Sequence, residues 1–421
     1  GIWHLGAIYA ISLAKLGYRV TAFDLNNKVI KDLKKGKSPI YEPELNESLK
    51  NLLGKNLFFT NTPQEAISFK EYIFVTLDMP IDSKDKINLD SLHKLFDLLI
   101  KFSSSGTKIV ISSQIPIGTS RILLQKFKAL HKKVEIIYFP ENLKLGEGFK
   151  TFLNPDRIIL GVENKERINQ FIQDFPYFKC PILGMTLESA EMVKHALNTF
   201  LAVNISFASE IADLCELTGA DMQDIITSLK TDNRISPNAP INPGLGFAGG
   251  TLGRDLQSLV KISKKYKYNP KMIKATYQVN SDRINHFMTQ VENILSGLPG
   301  KNIGLLGLTY KPHTNTLRRS QSLEIAQKLQ QKGCNIKAFD PIITKLDSSY
   351  SFIKINNNLT EFFKNLDLAI LMTEWPQFKK INPKIIFPFM KEKLFFDTKN
   401  FLQENMYISA GFKFYKIGKT I

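Results

Sequence analysis

The first six residues, GIWHLG, have the glycine spacing of a turn that binds a dinucleotide phosphate. In such a turn the outer glycines close a strand onto a helix, and the amino end of that helix receives the pyrophosphate. Gly1 and Gly6 hold the outer positions, but Trp3 stands where a middle glycine normally lets the backbone approach the phosphates. A tight turn that only joins two elements is the alternative interpretation, so this stretch alone leaves dinucleotide binding open.

An acidic residue favours the dinucleotide interpretation. Asp24 ends a strand-like run (18–25). It follows the turn by about 20 residues, the distance at which an acid usually accepts the ribose 2′-hydroxyl. A carboxylate there also repels a 2′-phosphate, so the sequence predicts NAD rather than NADP. The pyrophosphate must then sit differently around Trp3 than it does around a glycine.

The elements that position this turn alternate between strand and helix. An apolar helical pattern runs from Gly6 to Leu16, and further strand-like runs follow at 72–79, 108–115, 134–140 and 157–162. This alternation predicts a parallel, doubly wound sheet. A dinucleotide fold normally places an apolar strand just before its first glycine. That strand is missing here, and the chain opens without Met, so we expect the sequence to be a fragment at its start.

Strand patterns vanish in the middle of the chain and return near its end. Long helical patterns cover 187–219 and 270–295, with a loop rich in Pro, Gly and Asn (236–250) between them. After Gly297-Leu-Pro-Gly, strand-like runs resume at 301–310, 335–341, 366–374 and 393–399. The sequence therefore predicts an α/β fold with two Rossmann-like, doubly wound parallel-sheet domains (1–185 and 297–421) joined by an all-helical domain (186–296).

Charge and cysteine content limit the kinds of ligand and cellular setting that the chain is expected to have. The 421 residues carry a formal net charge of +17. The lysines are scattered, with neither a basic tail nor an aromatic platform. We therefore rank three explanations of the positive charge: compositional drift first, a cleft for an anionic small molecule second and nucleic-acid binding a distant third. No apolar run approaches a membrane span. Cys180, Cys215 and Cys334 lack disulfide or metal spacing, which predicts a reduced, cytoplasmic protein without a metal.

Longer strings carry a family resemblance. They are KSPIYEPELNESL (37–49), FPENLKLGEGF (139–149), DRIILG (156–161), EMVKHALNTFLAVNISFASEIADLCELTGAD (191–221), NPGLGFAGGTLGRDLQSL (242–259), LGLTYKPHTNTLRRSQSL (306–323), AFDP (338–341), MTEWPQF (372–378) and FFDTKN (395–400). In this order they resemble the UDP-glucose/GDP-mannose dehydrogenase family over essentially the whole chain. The resemblance implies an NAD-binding domain, a central helical domain that forms a homodimer and a C-terminal domain that holds a nucleotide sugar, with UDP the favoured nucleotide.

The resemblance also implies a chemistry. Typical members serve polysaccharide precursor synthesis by oxidising the C6 alcohol of a nucleotide sugar to a carboxylate, with two NAD molecules and a cysteine that holds the aldehyde. Lys194 and Asn198 match the active-site pair and share one helix face at i, i+4. Asp255 matches the acid used with a water, and Glu141 matches the carboxylate that hydrolyses the covalent intermediate.

Further positions match binding residues of the family. For the cofactor these are Gly1, Gly6, Asp24, Lys28, Ser113 and Gln114. For the substrate they are Asn142, Leu143, Arg234, Phe247, Gly249, Lys311, Arg318 and Lys399. The positive charges of Lys311 and Arg318 suit a pyrophosphate.

Several positions depart from the family pattern. Thr251 stands where the cysteine nucleophile should be, Arg254 replaces a lysine, and Gln114, Leu145 and Lys399 replace a threonine, a glutamate and an arginine. A threonine hydroxyl is a far weaker nucleophile than a thiolate at neutral pH. Three hypotheses follow: a dehydrogenase that stops after two electrons, a four-electron enzyme that oxidises a hydrated aldehyde without covalent capture, and a non-catalytic nucleotide-sugar binding protein.

Overall fold

The computed structural model describes residues 1–40, 42–79, 88–141, 143, 146–248 and 250–420. The chain separates into two compact units. The first, here the N-terminal unit, contains Gly1–Leu197 and Gln257–Lys267. The second, the C-terminal unit, contains Asn198–Leu256 and Tyr268–Ile421.

Strands and helices alternate along most of the chain. The strands are β1 (Val20–Phe23), β2 (Leu57–Thr60), β3 (Tyr72–Val75), β4 (Lys108–Ile111), β5 (Glu135–Tyr138), β6 (Ile158–Gly161), β7 (Ile182–Met185), β8 (Asn302–Leu306), β9 (Asn335–Phe339), β10 (Ile353–Ile355), β11 (Leu368–Leu371), β12 (Leu394–Asp397) and β13 (Lys413–Lys416). The helices are α1 (His4–Lys15), α2 (Asn27–Lys34), α3 (Leu45–Leu52), α4 (Pro63–Ile67), α5 (Asp90–Phe102), α6 (Thr119–Ala129), α7 (Gly148–Leu153), α8 (Glu166–Asp174), α9 (Leu187–Thr218), α10 (Met222–Thr231), α11 (Leu252–Lys265), α12 (Lys271–Leu295), α13 (Gln321–Gln331), α14 (Leu359–Phe363), α15 (Pro383–Ile386) and α16 (Glu404–Ser409).

The N-terminal unit holds two sheets. Five strands form one sheet in the order β3-β4-β5-β6-β7, and β1 and β2 form a separate parallel pair. Pairing is parallel except between β5 and β6, which meet antiparallel at the single pair Tyr138 and Gly161. The prediction of a parallel sheet is therefore correct for β3 to β5, whereas β6 and β7 run in the opposite direction.

A cavity of about 460 Å³ lies between the facing edges of β1 and β3. Apolar side chains line most of it, from α1 (Tyr9, Ala10, Leu13) and from the two strands. Neither β1 nor β3 has a hydrogen-bonded partner strand on this side among the described residues. The cavity therefore offers room for an extended apolar segment between these two strands.

Gly1 marks one end of this cavity. The N–H of Ile2 donates to Asp24 Oδ2 (2.7 Å), just beyond the carboxyl end of β1. Thr76 Oγ1, just beyond the carboxyl end of β3, donates to the carbonyl oxygen of Gly1 (3.1 Å). A segment that ran from the cavity into Gly1 would consequently lie parallel to both strands.

The C-terminal unit contains a single fully parallel sheet in the order β10-β9-β8-β11-β12-β13. Strand order reverses between β8 and β11, and the carboxyl ends of strands at such a switch point form the usual ligand crevice of an open α/β sheet. The predicted doubly wound domain is confirmed here. No helix in the described part of the chain has the length and hydropathy needed to cross a membrane.

Candidate active site

The glycine turn keeps the tight packing that a dinucleotide site requires. α1 begins directly after Trp3, whose indole is 42% exposed and whose carbonyl accepts the N–H of Ala7 (3.0 Å). A Cβ added to Gly6 would lie 2.0 Å from the carbonyl oxygen of Gly1 and 3.0 Å from Thr76 Oγ1. Only glycine fits at position 6, so the loss of the middle glycine has not relaxed the turn.

A buried carboxylate holds the start of α1. Glu42 is 3% exposed and accepts the N–H groups of Gly146 (2.6 Å) and Gly148 (3.0 Å). Its Oε1 also lies 3.0 Å from Nε2 of His4. Glu42 thereby ties the glycine turn to the segment before α7. The sequence alone gives no sign of this role, because an acid in a loop looks like surface charge until its burial is known.

Asp24 lies at the carboxyl end of β1, as the strand pattern predicted. Its two oxygens accept the N–H groups of Ile2 (2.7 Å) and Asn26 (2.8 Å). A carboxylate has lone pairs beyond these two and can still accept hydroxyl groups of a ribose. Lys28 is exposed in the first turn of α2. Together with the close packing at Gly6, this arrangement fits a dinucleotide.

Two predicted catalytic residues meet in the N-terminal unit. Lys194, on α9, is 7% exposed, and its Nζ lies 3.8 Å from Oε2 of Glu141. Glu141 follows β5 and keeps part of its surface exposed. Leu143 packs against the core around α1. Asn142 and Leu145 lie outside the described residues.

The loop after β4 carries two of the predicted cofactor contacts. Ser113 and Gln114 are buried, and the Ser113 hydroxyl donates to the carbonyl oxygen of Val75 (3.3 Å). This bond joins the ends of β3 and β4, so the loop starts from a fixed position at the edge of the sheet.

Two more predicted catalytic residues meet in the C-terminal unit. The side-chain amide of Asn198 donates to the carboxylate of Asp255, and both side chains are buried. Thr251 is exposed just before α11, and its carbonyl accepts the N–H of Asp255 (3.2 Å). The guanidinium of Arg254 lies 4.0 Å from Asp255 Oδ1.

Two residues that the sequence analysis missed fix the loop before Thr251. The side chain of Asn280 accepts the N–H of Phe247 (2.6 Å) and donates to its carbonyl (3.2 Å), while Gln321 donates to the carbonyl of Leu245 (2.6 Å). Gly246 has φ +83°, and a Cβ there would lie 2.3 Å from Asn280 Oδ1. Gly249 lies outside the described residues.

The switch point of the C-terminal sheet is closely packed. Thr373, after β11, donates its hydroxyl to the carbonyl of Thr309, after β8 (2.8 Å). The chain continues from Thr309 into the loop with the half-buried Lys311, and Lys399 follows β12 with its Nζ 4.0 Å from Glu374. Lysines in these positions place positive charge near the carboxyl edge of the sheet, which suits an anionic ligand.

Two predicted substrate residues have exposed side chains. Arg318 lies in the loop before α13, and Arg234 pairs with its neighbour Asp232 (2.7 Å) in the loop after α10. Exposed ion pairs of this kind contribute little to stability, so neither guanidinium is held by the fold as firmly as Lys194.

Comparisons with known proteins agree along the whole chain. Sequence profiles of the UDP-glucose/GDP-mannose dehydrogenase family match residues 1–178 (NAD binding domain), 188–282 (central domain) and 304–404 (UDP binding domain). The chain is 32% identical over 431 residues to UDP-glucose 6-dehydrogenase of Rickettsia typhi, covering 100% of this chain and 99% of that protein. This chain belongs to the UDP-glucose/GDP-mannose dehydrogenase family.

Other relatives agree with this membership. UDP-glucose 6-dehydrogenase YwqF of Bacillus subtilis is 28% identical over 425 residues, covering 100% of this chain and 96% of that protein. The solved UDP-glucose dehydrogenase of Pyrobaculum islandicum superposes with a TM-score of 0.88 at 25% identity, covering 99% of this chain and 96% of that one. As a family member, the chain is an NAD-dependent nucleotide-sugar dehydrogenase by class, and the predicted cofactor NAD is confirmed.

Proposed function

We propose that this dehydrogenase oxidises an alcohol of a UDP-sugar with NAD and stops after the first two-electron step. The observation that carries the proposal is the contrast between retained and lost groups. Lys194 and Asp255 are buried with polar partners, whereas Thr251 replaces the thiol that the family uses in its second step. The names of the relatives and the UDP binding domain profile support UDP as the nucleotide.

Each retained group has a role in the first oxidation. Bound NAD would supply the oxidant, since its nicotinamide would take up the hydride from the alcohol carbon. Asp255 receives the alcohol proton, directly or through a water, and Asn198 holds its carboxylate in place through the hydrogen bond between them. Lys194 stabilises the negative charge that develops on the oxygen. Gly6, Asp24 and the loop with Ser113 and Gln114 would hold this cofactor.

The second oxidation lacks its usual nucleophile. A thiolate forms readily near neutral pH, but the hydroxyl of Thr251 has a far higher pKa than a thiol and stays protonated. Thr251 is exposed directly before α11. Its side chain carries a hydroxyl instead of a thiol, so it cannot hold an aldehyde as a thiohemiacetal. The product of the proposed reaction is the aldehyde or ketone.

The test is the yield of NADH per sugar with limiting substrate, over a panel of UDP- and GDP-sugars, with mass spectrometry of the product. One NADH per sugar supports the proposal. Two NADH and a uronate would instead support oxidation of a hydrated aldehyde without covalent capture. Tight sugar binding without any NADH would support a non-catalytic binding protein. Trp3 in place of the middle glycine favours that alternative.

A pair of variants tests the role of Thr251. Thr251→Cys is expected to regain some second-step activity, and Thr251→Ser is its matched control.

A further inference from the structure

α9 holds the loop after β4 through a buried carboxylate. Glu191 is completely buried, and its two oxygens accept the backbone N–H groups of Gly118 (2.5 Å) and Ser120 (2.8 Å). These N–H groups belong to the first turn of α6 and would lack a partner within that helix. Burial raises the pKa of Glu191. The N–H donors of Ser120 and Gly118 oppose this shift, because they stabilise the carboxylate form. Glu191 thereby acts as the cap that α6 does not supply from its own sequence.

A second contact lies one turn further along α9. Nε2 of His195 lies 3.0 Å from the carbonyl oxygen of Ile115, and the His195 side chain is buried. Because a carbonyl can only accept, this ring nitrogen carries the proton and donates it. His195 therefore fixes the loop at a point only one residue beyond Gln114.

A third contact shows how the two segments are aligned. Arg121 on α6 donates to both oxygens of Glu188 on α9 (2.8 and 3.2 Å). Along α9 the contacts occur at 188, 191 and 195, and their partners on the other segment run from 121 through 118–120 to 115. The loop and the start of α6 thus lie antiparallel to α9, in one register.

We propose that Glu191 and His195 are positioning residues that set the register of the cofactor loop, residues 113–118, against the turn of α9 that carries Lys194. The inference rests on the proposed function, because Ser113 and Gln114 act there as cofactor contacts. Lys194 lies directly before His195 in sequence, so any slip of the loop along α9 changes its distance from Lys194. Neither positioning residue needs to touch substrate or cofactor.

Glu191→Gln tests the carboxylate. An amide can accept from only one of the two N–H groups, and its NH₂ then faces the other, so one buried donor loses its partner. We expect the amides of Gly118 and Ser120 to exchange hydrogen about tenfold faster or more, and the Kd and KM for NAD to rise about tenfold, with the KM for the sugar unchanged. Glu188→Gln is the control, because its ion pair with Arg121 is partly exposed and both values should stay within about twofold.

His195 gives an independent pair of variants. His195→Gln keeps a donor in the place of Nε2, whereas His195→Phe keeps the bulk and removes the donor. We expect the Phe variant to show the same faster exchange and weaker NAD binding, and the Gln variant to restore both. Unchanged exchange in Glu191→Gln and His195→Phe, or equal effects in Glu188→Gln, would overturn the proposal. Hydrogen exchange is measured without cofactor, so absence of NAD binding by the unmodified protein would refute the proposed function and leave this test intact.

Discussion

The side-chain amide of Asn198 donates a hydrogen bond to the carboxylate of Asp255, and both side chains lie in the interior of the C-terminal unit. If Asp255 accepts the alcohol proton, Asp255→Asn removes the acceptor and kcat should fall about a hundredfold or more. Asn198→Ala leaves the carboxylate in place and should lower kcat less. The exposed Asp224→Asn on α10 serves as the control, and steady-state kinetics distinguish the three variants. Normal turnover by Asp255→Asn would contradict the assignment.

Lys194 provides the second prediction. Lys194→Met keeps most of the apolar stem and removes the charge that lies 3.8 Å from Glu141. We expect kcat to fall about a hundredfold or more, because the developing oxyanion loses its cation. Circular dichroism should show an intact fold, since Glu141 is partly exposed and can be hydrated. The exposed Lys126→Met on α6 controls for loss of a positive charge. Equal kcat in both variants would show that Lys194 takes no part in catalysis.

The predicted dimer has a candidate surface on α9. Phe200, Phe207 and Leu214 recur every seven residues and are 63%, 47% and 54% exposed. A stripe of this kind, on a helix, is typical of a surface that pairs with a second copy. Phe207→Glu should therefore give a monomer in light scattering at micromolar concentration, where the unmodified chain is expected to be a dimer. Thr227→Glu, on the exposed face of α10, should leave the dimer intact. A monomeric unmodified chain would refute the prediction.

The cavity between β1 and β3 leads to a stability prediction. We propose that an extended apolar segment joined to Gly1 pairs with both strands, so a five-residue Val/Ile extension before Gly1 should raise Tm. Burying two large side chains contributes roughly 3–6 kcal/mol before ordering costs, and a net gain of even about 2 kcal/mol raises the Tm of a unit this size by ~4–8 °C. A Gly/Ser extension of equal length is the control. Equal Tm values for the two extensions, measured by calorimetry, would contradict pairing in the cavity.

A histidine between two carboxylates predicts a pH dependence of stability. His286 Nε2 lies 3.3 Å from Glu216 Oε2 and 3.4 Å from Asp213 Oδ1. The hydrogen bond to Glu216 raises the pKa of His286, with Asp213 adding to the effect and Arg283, which pairs with Asp213, opposing it. The stabilisation is therefore complete below the unfolded pKa of about 6.5 and is lost as pH rises through the higher folded pKa.

His286→Gln measures this contribution. Urea unfolding should show a larger stability difference between the unmodified chain and His286→Gln at pH 6 than at pH 8.5. More than a third of the ring is exposed, so screening keeps the change below about 1 kcal/mol. His93→Gln on α5, where the side chain is exposed, should give the same small difference at both pH values. A difference for His286→Gln that does not depend on pH would rule out the ion pairs as its cause.

Some elements could be predicted from the sequence because their apolar patterns are long. The runs that contain β4, β5 and β8 are nearly continuous, and α9 has a helical period over its full length. β2, β7, β10 and β13 were missed, since three or four residues give too short a pattern to separate from a loop.

For the candidate site, the sequence predicted several residues but not the contacts between them. The resemblance named Lys194 and Glu141, but nothing in the sequence indicates that their side chains meet. Glu42, Glu191 and Asn280 were missed because their importance lies in buried hydrogen bonds to distant backbone groups. An acid or amide of this kind looks like a solvated side chain until tertiary structure shows what surrounds it.

The five-stranded sheet of the N-terminal unit consists of two groups of strands that meet at one residue pair between β5 and β6. β3, β4 and β5 share full ladders, as do β6 and β7, whereas in the described part of the chain the pair Tyr138 and Gly161 alone joins the two groups. Gly161 packs so closely on α9 that a Cβ there would lie 2.7 Å from Cβ of Ala190. The start of α9 also holds the loop after β4 through Glu191 and His195, so this helix packs on both groups. Separating the two groups therefore requires α9 to release one of them, and the resistance of the sheet to local opening here depends on helix packing more than on strand pairing.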